Sequence, residues 1–103
     1  MAKKNTITTE FTEINVGLVK SKKAKKNGLL AMVSVTINNE YAIRSIQVRE
    51  ALKGKNKGDI YVSFPQYKGS DDEWYNIFLP ITAEARTELI NDILEAYEEE
   101  ADE

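Results

Sequence analysis

Five lysines fall within seven residues, at Lys20, Lys22, Lys23, Lys25 and Lys26, and three more alternate with other residues at Lys53, Lys55 and Lys57. An ammonium on a four-carbon stem is a flexible point charge. Clustered, such charges hold phosphates and release counterions, which gives affinity for a polyanion without reading its sequence. The alternative for either cluster is a solvated, solubilising loop. Tyr67 beside Lys68 offers a ring that can stack on an unpaired base, and Trp74 and Tyr75 follow closely. Strand aromatics more often pack in a core or across strands, so Tyr67, between Pro65 and a turn, is the candidate for contact. Arg86 stands alone among acids; it can donate a bidentate pair to phosphate or guanine, or bridge to Glu84.

Other chemistry has little to work with. The chain contains no cysteine and no histidine, which removes disulfides, thiol nucleophiles, imidazole bases and the usual ligands of zinc, haem and iron–sulfur clusters. Asp71, Asp72 and Glu73 gather three carboxylates, but adjacent turn positions diverge and no phosphate-cradling glycine loop accompanies them. No catalytic residue, metal, cofactor or small-molecule substrate is expected. Charge is strongly polarised along the chain: residues 1–68 hold 13 Lys and Arg against 5 Asp and Glu, whereas residues 69–103 hold 1 against 12. A basic face for polyanions and an acidic end are the expectation. The polar start and the lack of a long apolar run predict a cytoplasmic protein without a membrane span.

The elements that must carry these residues are legible from periodicity. Ile14, Val16 and Leu18 alternate in a first strand over residues 11–20, and Ser21 to Asn27-Gly28 reads as a hairpin loop with a basic tip. Residues 29–37 form the clearest strand, with β-branched residues at alternate positions. A short loop at Asn38-Asn39-Glu40 would set Ile37 opposite Tyr41 and Val35 opposite Ile43 in a third strand over 41–48. Residues 50–59 read as a mobile basic loop and 60–64 as a fourth strand ended by Pro65. Glu73 to Leu79 predicts a fifth strand. Thr82 is a reasonable N-cap for a helix in which Ile81, Ala85, Leu89, Ile93 and Tyr97 recur every four residues, one apolar face to cover the sheet. The expected class is α+β: an antiparallel sheet of about five strands followed by a C-terminal amphipathic helix packed on it. Residues 1–10 are expected to be flexible, 11–97 to form a single domain, and 98–103 to be an acidic, frayed tail.

In order along the chain stand Ala31, Ser34, Thr36, Asn39 and Glu40, then Ile46 and Val48, Val62 and Pro65, Ile77, Pro80 and Ile81, and finally Arg86, Leu94 and Tyr97. This pattern, over roughly residues 12–97, resembles the stage V sporulation protein G (SpoVG) family of bacterial septation regulators. The resemblance implies an α+β fold that dimerises through its sheet edges, and binding of DNA and RNA in the control of gene expression, cell division and sporulation. It implies no catalytic residue. It also lends weight to Lys68, in the basic segment after the proline, and to Arg86, which matches the helix arginine. One departure bears on mechanism: the position two after that arginine, often basic in relatives, is Glu88 here. A helix so acidic repels a phosphate backbone, so the lysine loops must compensate. The alternative function is a protein-interaction module working through sheet edges or the acidic helix.

Overall fold

The alternation of apolar residues along 29–37 has a physical outcome in the sheet's central strand, where Ala31, Val33 and Val35 are buried while Met32 between them is exposed. The structure, a computed structural model, describes residues 10–102. Its elements are β1 (Phe11–Leu18), α1 (Lys22–Lys26), β2 (Leu29–Ile37), β3 (Tyr41–Glu50), β4 (Ile60–Ser63), β5 (Gln66–Lys68), β6 (Trp74–Asn76) and α2 (Ala83–Ala101). Strands β1 to β4 form one antiparallel sheet in sequential order. Strands β5 and β6 pair with each other as a separate two-stranded ribbon. The α+β architecture is as expected, except that the fifth strand is short and belongs to the ribbon.

The β2–β3 hairpin has the expected register, Ile37 against Tyr41 and Val35 against Ile43. Asn38 and Asn39 both take positive φ, 52° and 58°, and the Glu40 N–H donates to the Ile37 carbonyl at 2.9 Å. Two successive left-handed residues give a turn whose twist matches that of paired strands, and asparagine tolerates that conformation.

Further along β3 a bulge resets the pattern. Ile43 and Ile46 are three residues apart, a spacing that simple alternation would send to opposite faces. Between the Val35–Ile43 and Val33–Ile46 pairs, Arg44 and Ser45 together oppose Ser34, and Ser45 takes φ +67°. The extra residue returns Ile46 and Val48 to the buried side, alongside the partly buried Ile43. As a result Gln47 and Arg49 lie on the opposite, uncovered face.

Helix α2 covers the other face, touching β1 and β4. The Thr82 hydroxyl accepts from the Ala85 N–H at 3.1 Å, the expected N-cap. Leu89 and Ile93 enter the core, with Leu94 and Tyr97 packed at its margin. The apolar face starts later than expected: Ile81 is 88% exposed, and Ala85 is exposed too, because both precede the part of the helix that lies over the sheet. The helix also continues through the acidic run to Ala101, past Tyr97, after which fraying was expected. Residues 1–9, the bulk of the segment expected to be flexible, lie outside the described residues, as does Glu103. Among the described residues, no helix is long and apolar enough to cross a membrane.

Candidate nucleic-acid interface

The segment expected as a plain hairpin tip contains a single helical turn. Ser21 caps α1 by accepting from the Ala24 N–H at 3.3 Å, and Asn27 closes it with its N–H on the Lys23 and Ala24 carbonyls. Ala24 turns partly inward, while Lys22, Lys23, Lys25 and Lys26 are all exposed, as is Lys20 just before the turn. A turn this short cannot persist alone; its caps and the hairpin that flanks it hold it.

The second basic loop, between β3 and β4, is less open than its composition suggests. The Ala51 N–H donates to the Asp59 carbonyl at 2.9 Å and the Gly58 N–H to the Ala51 carbonyl at 2.8 Å, so the loop is closed at its base. Lys53, Lys55 and Lys57 are exposed on it.

Antiparallel pairing puts both loops at one end of the sheet. Strand β1 ends and β2 begins there, and Leu29 of β2 pairs with Arg49 near the end of β3. The two loops are also joined directly. The Glu50 N–H donates to the Gly28 carbonyl at 2.7 Å, and Arg49 Nη2 donates to the Asn27 carbonyl at 2.9 Å. Gly28 has φ +90°, and a Cβ there would come within 2.7 Å of the Glu50 carbonyl oxygen. Only glycine allows the approach without displacing backbone. Among the described residues, Lys68–Asp72 is the ion pair found, and no described acid forms one with the lysines of either loop.

The remaining predicted residues lie elsewhere. Tyr67 is 52% exposed but stacks on Tyr75, ring centroids 5.4 Å apart. Lys68 Nζ lies 3.7 Å from Asp72, with both groups well exposed, a contact that contributes little in water. Arg86 is exposed near the start of α2, whose neighbouring Ala85 and Glu88 face Glu10 and Phe11 at the far end of β1. It is therefore not gathered with the lysines, and among the described residues the alternative bridge to Glu84 is not formed. Asp71, Asp72 and Glu73 form no metal-binding cluster; among the described residues no group of three or more potential ligands converges. The Tyr75 phenol donates to Asp71, whose carboxyl is held below its usual range by that bond and by the Glu73 N–H. The same contact raises the Tyr75 phenol.

Sequence reasoning missed two residues. Arg49 follows the buried Ile46 and Val48 in alternation, which is the signal that it faces outward. Trp74, expected to pack internally, is 63% exposed. It stands on a ribbon that the main sheet does not extend to cover.

A four-stranded meander backed by one helix, with a basic end made of two clamped hairpin loops, defines a small α+β scaffold that gathers positive charge at one end. The SpoVG family profile matches residues 9–99. The chain belongs to the SpoVG family. A protein of Lachnospira eligens named "Putative septation protein SpoVG" is 36% identical over 86 residues, covering 82% of this chain and 92% of the relative. One of Archaeoglobus fulgidus with the same name is 32% identical over 92 residues, covering 88% and 96%.

Proposed function

We propose that this chain is a non-enzymatic nucleic-acid-binding regulator that works in the cytoplasm, its two lysine loops holding phosphates together. The observation that carries this reading is the junction of those loops at one end of the sheet, through Arg49, Asn27, Gly28 and Glu50, with no described acid in an ion pair with their lysines. Eight mobile ammonium groups on one rigid end present a field that a polyanion can meet at several phosphates at once. Family membership supports a role in septation, with control of gene expression and sporulation as the processes that the resemblance implies. The proposed assembly is a homodimer through the sheet edges, β1 and β4, which have no further strand beside them among the described residues.

The test is salt-titrated binding to single- and double-stranded DNA and RNA. Log affinity is expected to fall with log salt by about 0.9 per phosphate contacted on a duplex and about 0.7 on a single strand. Replacing Lys20, Lys22, Lys23, Lys25 and Lys26 by glutamine should flatten the slope and weaken binding. Unchanged slope and affinity would remove the loop as the contact. Failure of every nucleic acid to bind at low salt would favour a protein-interaction role, for which the exposed Ile81, just before the acidic α2, is the motivating feature.

A further inference from the structure

On the uncovered face of the sheet, a groove of about 470 Å³ lies between β3–β4 and the ribbon. Its floor carries Arg49 paired with Tyr61 and Gln47 paired with Ser63, and its wall carries Trp74 and Gln66. Among the described residues, no acidic side chain lines it. Alternation along the ribbon sends Gln66, Lys68 and Trp74 to one side and the Tyr67–Tyr75 stack to the other. Trp74 and Tyr61, 63% and 45% exposed, therefore offer ring surface at the groove that neither uses internally.

Arg49 is fixed there. Its Nη1 donates to Gln47 Oε1 at 2.8 Å and its Nη2 to the Asn27 carbonyl at 2.9 Å. Held at both terminal nitrogens, the guanidinium keeps its plane and has N–H groups to spare, and Gln47 has its amide donor left to offer. One side chain thus belongs to both the basic end and the groove. A strand whose phosphates rest on the lysine loops is positioned to pass its bases into the groove.

We propose that this groove is a base-stacking subsite for single-stranded nucleic acid, with Trp74 as the stacking platform, Tyr61 beside it, and Arg49 and Gln47 as donors to the base. The proposal rests on the nucleic-acid-binding reading above. A flat aromatic surface accepts any base, while a planar cation and amide donors favour a carbonyl-bearing edge. Bases inside a duplex present no face to Trp74. The subsite therefore confers preference for single strands, whereas the lysine loops alone serve both forms.

Trp74 is the chain's one tryptophan, so its fluorescence reports the groove directly. The experiment compares unstructured oligonucleotides, DNA and RNA, with duplexes of the same length at one salt concentration. Single strands should quench Trp74 and bind more tightly than duplexes. Trp74→Ala should weaken single-strand binding about tenfold, with Trp74→Phe restoring most of the loss, and leave duplex affinity and the salt slope unchanged. Tyr61→Ala should produce a smaller loss with the same selectivity. Salt-dependent binding of both forms with no change in Trp74 emission and no effect of Trp74→Ala would overturn the subsite and leave the lysine reading standing. No binding of either form would overturn both. A Trp74 shielded from acrylamide in the free protein would place it between two copies and overturn the subsite as well.

Discussion

The hydrogen bond between Tyr75 and Asp71 illustrates how much one exposed pair can organise. The phenol stays protonated because its O–H donates to the carboxylate, and the carboxyl stays ionised because it accepts from the phenol and from the Glu73 N–H. Asp71 is lowered from 3.8, so its contribution is present above that value and lost as pH falls through the lower folded one. Tyr75 is raised from 10.0, so its contribution is present below pH 10 and lost as pH rises through the higher folded value. Emission from Trp74, on the same ribbon, is expected to hold steady between those limits and change at both. Tyr75→Phe should move the acid limb toward 3.8 and abolish the alkaline one. Gly69 belongs to the same arrangement, since a Cβ there would approach the Tyr75 ring to 2.6 Å.

Among the elements, α2 separates residues that hold the fold from those that only look as if they do. Ile93 is fully buried against β2 and β3, so Ile93→Ala should cost about 2–5 kcal/mol in denaturant unfolding. Ile81 shares the four-residue spacing yet stands 88% exposed; Ile81→Ala should stay within about 0.5 kcal/mol of wild type. The sheet was legible because alternation and the Asn38-Asn39 turn act locally, and these alone suffice to predict the β2–β3 pairing. Helix α1 was not, since four lysines in five residues present no apolar stripe and the only cue is Ser21 as a cap. The ribbon was hidden for a different reason. Trp74, Tyr75 and Asn76 have the composition of a sheet strand, and only the chain path after Pro65, where the Ile77 N–H returns to the Pro65 carbonyl, directs them elsewhere.

Taken whole, the molecule is extended for its length, with a Cα radius of gyration of 15.7 Å against about 13 Å for a compact domain of 100 residues. Seven buried hydrophobic residues make up the core among the described residues, while Trp74, Ile77 and Ile81 remain open to solvent. If the proposed homodimer is coupled to folding, the melting temperature should rise with protein concentration; a concentration-independent value together with a monomer mass in sedimentation would dismiss it. The polarisation seen in the sequence also acquires a geometry at this scale. Lysines occupy one end of the sheet, and Glu88 and Asp92 of α2 lie beside Glu10 and Phe11 at the far end of β1. That arrangement discourages a polyanion from lying along the helix, as the presence of Glu88 suggested. What composition could not supply was the contact between the loops, because Arg49 and Asn27 are 22 positions apart.

The bulge at Ser45 decides more than a local kink. Remove one residue between Ile43 and Ile46, keep the pairing otherwise intact, and the remainder of β3 turns inside out: a guanidinium and a carboxamide would point at α2 while two aliphatic groups met the water. The strand's second half is thus held to its orientation by a parity of one, so relatives that gain or lose a residue there should not be expected to preserve the outer surface, however similar their loops.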